Sequence, residues 1–426
     1  MKIAMMVRGY IPAPRPKDII YAPIDLAVSL SRGLAKRGHT VDFYGPLGTQ
    51  IGDGVTVQTK NLRPLIHNQQ EMTQLFHDVA LTTHYIPQLW DNYLAAEMFQ
   101  KAKAGDYDIL HFHHSELALP LAKQYPKVPV VYTQHDPFFP WRREAYELYH
   151  GDNQHFVSIS NNQRRDAPDM PYINTIYNGV DVQHFPFGDD PEDYLLVAGR
   201  IVPEKGVKEA VQLAKQTNHR LLIIGPVYPE HQDYFDQYIK PHLSDKILHL
   251  GYVEYDQMWR YYQKAKAFLT PVQWEEPFGL TTIEAMASGT PVISLRRGAA
   301  PELIVDGKTG FVVDSMAAMA QAINNIGQIN RADCREHVKA NFSLDTMIDG
   351  YEAAFKAVLR QHPRSVTQRG KGLLSKKIRA VGPKLKAVLP TKDSVERELD
   401  LDFQELVHEI SQATKKSTEP DTTLEA

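Results

Sequence analysis

The chain of 426 residues has one cysteine, Cys334, so no intrachain disulfide can staple it. That absence points to a reducing compartment and leaves the fold to be held by buried apolar surface. No run of about 18 apolar residues occurs, so no segment reads as a membrane span. Neither sign of charge dominates: 47 Lys and Arg stand against 51 Asp and Glu. This excludes the broad electrostatic footprint of a nucleic-acid binder, and no nucleic-acid partner is expected. The apolar start, Met1 to Val7, is broken by Arg8 and followed by no small-residue cleavage site. It reads as a first strand rather than a leader. No Asp-x-Asp pair closes a strand-like run to hold a cation, and no resident cofactor is expected.

What the chain does have is a repeated alternation of short apolar runs and amphipathic stretches. Apolar residues make up 43% and charged residues 23%, enough for two cores at this length. Ile3–Val7, Thr40–Tyr44, Asp108–Phe112, Val128–Thr133 and Phe156–Ile159 read as strands, with a helix from Ile24 to Lys36 ending at Gly38. The same grammar restarts after residue 190. Strands are expected at Leu195–Ala198, Leu221–Ile224, Ile247–Leu250, Ala267–Thr270 and Pro291–Ser294, with a helix at Val207–Thr217. This predicts an α/β protein with two doubly wound, Rossmann-like halves, residues 1–185 and 186–344, parted by a Gly/Pro/Asp-rich stretch near Asn178–Pro191. Residues 62–104 interrupt the first half as an irregular helical insertion. Residues 136–149 form an aromatic-rich segment, read either as local packing or as a sugar-stacking surface. Residues 361–426 form a charged tail. Within it, 364–392 carry nine Lys/Arg and no acid, and 393–426 carry ten acids against three Lys/Arg. The basic part reads as a solvated, partly disordered segment or as a peripheral contact with an anionic membrane surface.

In doubly wound folds ligands bind at the carboxyl ends of the strands. Arg200 lies at the end of one such strand, and Lys205 follows just before a helix. Two fixed cations there suit a diphosphate, although each alone is an ordinary loop charge. A second element, Glu275-Glu276-Pro277-Phe278-Gly279-Leu280-Thr281-Thr282-Ile283-Glu284, opens another helix. Gly279 lets backbone approach a ligand, and the helix N-terminus aims N–H groups at phosphate. Glu276 is placed to accept hydrogen bonds from sugar hydroxyls. Glu284 suits a ribose diol, but Thr281-x-x-Glu284 also spells a capping box that needs no ligand. His111, His113 and His135 stand at strand ends in the first half.

Residues 275–313 resemble the donor-binding signature of retaining glycosyltransferase family 4. The resemblance rests on two glutamates flanking Pro-Phe-Gly, then Ala285-Met286-Ala287-Ser288-Gly289-Thr290-Pro291, Gly298–Ile304 and Gly307–Phe311. Gly199-Arg200 with Glu204-Lys205-Gly206, Tyr177–Asp181 and Arg37–Val41 extend it over roughly residues 1–360. It implies a GT-B fold with a C-terminal crossover helix near 345–360 returning to the acceptor-side first domain. It implies a nucleotide-sugar donor, a hydroxyl acceptor, no metal, and a cytoplasmic enzyme of the hexosyltransferase type, with UDP-glucose the donor by family frequency. Arg200 and Lys205 would hold the diphosphate, Glu276 the sugar and Glu284 the ribose. The backbone of Phe278, Gly279, Leu280 and Thr281 would approach sugar and phosphates, and Val253 would face the base. His135 would lie near the donor sugar; Tyr21, His111 and His113 would line the acceptor side, with His111 read equally well as a hydrogen-bonded core histidine.

One place departs from the family. Where its members read Tyr-Gly-Gly-x-Glu, this chain reads Tyr21-Ala22-Pro23-Ile24-Asp25. That removes a close backbone contact, with Arg15 and Lys17 the nearby cations. Pro23 suits the first turn of a helix. Two other readings use the same scaffold. A sugar-nucleotide 2-epimerase would act without an acceptor, and a non-catalytic scaffold would not need Arg200, Lys205, Glu276 or Glu284.

Overall fold

A computed structural model describes residues 1–77 and 81–363. The basic and acidic tail segments fall outside the described residues.

Seven strands build the first sheet: β1 (Lys2–Met6), β2 (Thr40–Tyr44), β3 (Thr56–Gln58), β4 (Ile109–Phe112), β5 (Val130–Gln134), β6 (Gln154–Ser158) and β7 (Tyr172–Thr175). Their order is β3-β2-β1-β4-β5-β6-β7, and every pairing is parallel. Six strands build the second: β8 (Tyr194–Ala198), β9 (Arg220–Ile224), β10 (Ile247–His249), β11 (Ala267–Thr270), β12 (Val292–Leu295) and β13 (Gly310–Val313). Their order is β10-β9-β8-β11-β12-β13, again all parallel. An all-parallel sheet must be covered on both faces, so its central strands are apolar throughout. β4 and β5 are buried at every position. The strands missing from the sequence reading are β3, β7 and β13. All three are edge strands of three or four residues, and none is buried along its whole length.

The region 62–104 is more regular than its sequence implied. It forms helices Gln69–His77 and Leu81–Lys103. The second buries Leu94, Ala95, Met98 and Phe99 with Phe112 and Tyr132, and so covers one face of the first sheet. The opposite face is covered by helix Ala22–Lys36 and by the C-terminal helix Leu344–Gln361. Ser343 caps that last helix through Thr346 N–H. Met347, Ile348, Tyr351, Phe355 and Val358 then join Ile3, Val41 and Ile109 in one core. The chain thus leaves the second sheet and returns to the first.

Strand order reverses between β1 and β4 in one sheet and between β8 and β11 in the other. Such switch points splay the loops beyond the strand ends and open a crevice there. Arg8 and Gly9 follow β1, His113 and His114 follow β4, Gly199 and Arg200 follow β8, and the Glu276 loop follows β11.

Candidate active site

Two glycines allow the loops of the second sheet to meet. Gly225, after β9, has φ +149°, and a Cβ there would lie 1.7 Å from the Gly199 carbonyl oxygen. Gly206 has φ +70°, and its Cβ would lie 1.8 Å from the Pro271 carbonyl oxygen. The ends of β8, β9 and β11 therefore pack backbone to backbone, which no larger residue permits.

Lys205 and Glu276, from two different strand ends, form an ion pair of 2.5 Å. Trp274 donates its indole N–H to the same Glu276 oxygen at 2.8 Å, and the Lys205 ammonium lies 5.5 Å from the Trp274 ring centroid. The Glu276 backbone is held from behind. Its carbonyl accepts from Ala299 N–H at 3.0 Å, and the Glu275 side chain accepts from Gly298 N–H at 2.8 Å. Arg200 is exposed and, among the described residues, has no ion-pair partner. Its charge acts on Asp136, whose carboxyl is raised by burial and drawn back mainly by Arg142.

Helix Leu280–Ala287 begins at Gly279, which is its cap residue. Thr281 is therefore already inside the helix, and the capping box spelled by Thr281 and Glu284 does not form. Glu284 instead accepts from the Tyr262 hydroxyl at 2.9 Å and is only 6% exposed. Burial raises its pKa to about 7, with Asp25 adding to the rise and Tyr262 opposing it. Its side faces a cavity of about 750 Å³ between the two sheets, large enough for a nucleotide. Gly199, Gly225, Val253, Leu280 and Thr281 line it from the second domain. Arg15, Tyr21 and Asp25 line it from the first. Arg15 Nε pairs with Asp25 at 2.7 Å. The Tyr252 hydroxyl bonds the Lys17 carbonyl and so closes the rim across the cleft. Helix Ala22–Lys36 starts without strain, with Pro23 in its first turn.

The first-domain histidines divide. His113 Nδ1 and His135 Nε2 lie 2.9 Å apart with their rings stacked. Burial lowers both pKa values, that of His135 to about 3, so the pair is neutral near pH 7. His135 is the half-buried member and His113 the buried one. Of the two readings of His111, the core one holds and the acceptor-side one does not. It is fully buried, bonds Thr133 Oγ1 at 2.8 Å and packs on Tyr351 and Phe355 of the returning helix. It shares a face with His113, the ring centroids 4.4 Å apart, but lies deeper and under the returning helix, so it supports the core. Phe278 is likewise a core side chain, packed between Tyr177 and Phe342, and only its backbone belongs to the donor loop. Tyr21 bonds His114 Nε2, while Arg8 reaches Tyr21 at 3.2 Å, His114 at 3.1 Å and Asp91 at 3.3 Å.

Sequence reasoning missed Trp274, Tyr262, His114 and the Arg8–Asp91 pair. Trp274 had a signal, lying two residues before Glu276 on the same loop. Tyr262 and Asp91 had none, because they reach the site from helices remote in sequence. Among the described residues, no group of three or more His, Cys, Asp or Glu is placed to hold a metal ion. No described helix is long and apolar enough to cross a membrane.

Two parallel Rossmann-like sheets with a shared crevice at their switch points, closed by a returning C-terminal helix, define a GT-B architecture. Family models agree along the chain: Glycosyltransferase Family 4 matches residues 26–184 and Glycosyl transferases group 1 matches residues 182–341. The chain belongs to this glycosyltransferase family and is a transferase. Among curated proteins it is similar to the N-acetyl-alpha-D-glucosaminyl L-malate synthase of Bacillus anthracis, at 25% identity over 79% of this chain and 93% of that protein. Among solved structures it resembles the sucrose-phosphate synthase of Thermosynechococcus elongatus, with TM-score 0.64 and 19% identity over 84% of this chain and 99% of that one. Anabaena Alr3699/HepE, solved in complex with UDP-glucose, gives TM-score 0.60 and 16% identity over 84% and 100%.

Proposed function

We propose that the enzyme is a retaining hexosyltransferase that takes its sugar from a nucleoside diphosphate donor, with UDP-glucose the first candidate, and gives it to an acceptor hydroxyl in glycan, polysaccharide or glycolipid synthesis. One observation carries this reading: the Lys205–Glu276 pair stands at the strand end beside a nucleotide-sized cavity lined by the buried carboxylate Glu284. A B. anthracis relative bears the name N-acetyl-alpha-D-glucosaminyl L-malate synthase and a structural neighbour was solved with UDP-glucose, which supports a nucleotide-sugar donor here.

In this reading Glu284 accepts from the ribose diol and Val253 faces the base. The backbone of Gly279 to Thr281 aims N–H groups at sugar and phosphates, and Glu276 binds sugar hydroxyls. Arg200 and Lys205 hold the diphosphate. The acceptor oxygen attacks the anomeric carbon from the face the diphosphate leaves. The sugar–phosphate C–O bond breaks, the new C–O bond forms, and the acceptor proton passes to a diphosphate oxygen. Charge stabilisation of the leaving group carries most of the rate. Neutral His135, fixed by His113, presents a ring N–H or lone pair near the sugar, and Tyr21 lies on the acceptor side. We place the reaction in the cytoplasm, with segment 364–392 contacting an anionic membrane surface.

The test is a thermal-shift screen of UDP, GDP, ADP and their hexose conjugates. A bound nucleotide at a hundred times its Kd adds about 2.7 kcal/mol of stability. No shift with any nucleotide overturns the reading. Incubation with UDP-sugars alone that yields a new epimer would replace transfer by epimerisation. The anomeric coupling of the product, read by NMR, decides retention. Vesicle co-sedimentation with and without 364–426 decides the membrane contact.

A further inference from the structure

The site's two halves are tied together by residues that do not line the cavity, and the tie runs into the backbone of Glu276. The Glu302 carboxylate, on the second domain, accepts from two successive backbone N–H groups of the first, Asn161 at 2.8 Å and Asn162 at 2.7 Å. The Tyr177 hydroxyl donates to it at 2.9 Å. Asn161 and Asn162 open the short 3-10 helix Asn162–Asp166 after β6, so the carboxylate sits where free N–H groups point. A second contact runs beside the first. Glu275 accepts from Asn162 Nδ2 at 3.3 Å and pairs with Arg165 at 3.4 Å. Both acids are mechanically joined to the donor loop. Glu302 lies on the one-turn helix Ala300–Leu303, whose preceding Gly298-Ala299 turn binds the Glu275 side chain and the Glu276 carbonyl.

From this geometry we infer that Glu302 is a positioning residue: with Glu275 it clips the loop after β6 to the donor loop, so that Glu276 is set for the sugar only when the two domains are apposed. The inference rests on the reading of Glu276 as the sugar contact. It couples domain closure to the reacting end of the donor and leaves the nucleotide end, held by Glu284 and the glycine-lined cavity, independent of the clip. Binding would therefore precede the alignment that permits transfer, and closure without a first-domain contact would leave Glu276 misaligned.

The test uses full-length protein carrying Glu302→Gln or Arg165→Ala. Gln keeps the shape but replaces the doubly accepting carboxylate; Arg165 is exposed, and its loss threatens folding least. Spin labels at Lys127→Cys and Asp245→Cys, exposed positions on the two domains, report the interdomain distance by pulsed electron resonance with no ligand present. The expected result is a broadened, longer distribution in Glu302→Gln and a smaller change of the same kind in Arg165→Ala. In parallel, UDP affinity should stay within about twofold while turnover of UDP-glucose falls at least tenfold in Glu302→Gln. Unchanged distances in both variants overturn the inference. So does an equal loss of UDP binding and turnover, which marks Glu302 as a merely structural support. If the unsubstituted protein neither binds UDP nor turns over UDP-glucose, the donor assignment fails, and the distance measurement still decides the clip.

Discussion

The Lys205 ammonium and the Glu276 carboxylate, delivered by two different strands, meet at 2.5 Å with the Trp274 indole on the same oxygen. Their side chains are 24% and 18% exposed. A donor placed between them would exchange one ion pair for two substrate contacts, cation to diphosphate and carboxylate to sugar hydroxyl. The pair thus holds both groups in place before the donor arrives.

Glu276→Ala is expected to lower turnover by about 10²–10³, the scale of losing one preorganised polar contact to the reacting group. The pair keeps some contact with water and so contributes little to folding; stability should change by only about 1 kcal/mol. Lys205→Met should act on turnover similarly. Because each residue orders the other, the double variant should fall short of the product of the two single losses. Steady-state kinetics with urea unfolding checks this. Turnover within threefold of the unsubstituted enzyme in Glu276→Ala would remove that residue from the site.

Glu284 links nucleotide binding to pH. Its pKa in the fold, about 7, exceeds the usual glutamate value because burial disfavours its charge. The folded protein therefore holds more protons than the unfolded chain between about pH 4.5 and 7, and this group's contribution to stability falls as pH rises through that window. Glu284→Gln keeps an oxygen for the Tyr262 hydroxyl and removes the charge. Its Tm should exceed that of the unsubstituted protein at pH 8, and the gap should close by pH 5. Nucleotide affinity should behave oppositely. A ribose diol donates to the carboxylate, so binding should weaken as pH falls below about 7, and Glu284→Gln should flatten that dependence. Calorimetric titration of UDP at pH 6 and pH 8 decides it; identical affinities would detach Glu284 from the ribose.

The sequence carried the second domain better than the first. Its strands are separated by punctuating glycines, and its donor motif is local, since Glu276 and Glu284 lie on one loop and the helix it opens. What stayed hidden was assembled across distance. Whether Glu284 caps a helix or faces a ligand depended on where the helix starts, and Gly279 moved that start two residues before Thr281. His111 looked like its neighbour His113, and only the returning helix, more than 200 residues later, showed that it is covered as part of the core. The Glu302 contacts to Asn161 and Asn162 are between domains, and no local pattern announces them.

Gly225→Ala tests the backbone packing that shapes the cavity. A methyl group there would fall 1.7 Å from the Gly199 carbonyl oxygen, and no side chain can move aside to relieve it. Overpacking and the φ of +149° together should cost about 3 kcal/mol or more. The loops after β8 and β9 would have to separate, moving Arg200 with them. Urea unfolding should show the loss, and UDP binding should weaken even where the variant remains folded. Unimpaired stability would mean that the two loops do not meet as described.

The Arg8–Asp91 pair offers a test of the acceptor-side wall. Asp91 is 1% exposed, and its other contact is the Gly9 N–H. Burial raises its pKa to about 6 against the pull of Arg8. Arg8→Met would leave the carboxylate buried without its cation, which should cost about 3 kcal/mol at pH 8. Without Arg8 the Asp91 pKa should climb further. The variant then loses more stability than the unsubstituted protein as pH rises through 6, and the difference between them should shrink at pH 5, where Asp91 is neutral in both. Adding Asp91→Asn should recover part of the loss at pH 8, since it removes the uncompensated charge. Tyr21 and His114 lose the same partner, so acceptor turnover should fall in Arg8→Met and stay low in the double variant even where stability returns. Urea unfolding at the two pH values, read beside turnover, separates the wall's electrostatic cost from its part in the site. A stability difference that is equal at pH 5 and pH 8 would show that Asp91 does not carry the charge assigned to it.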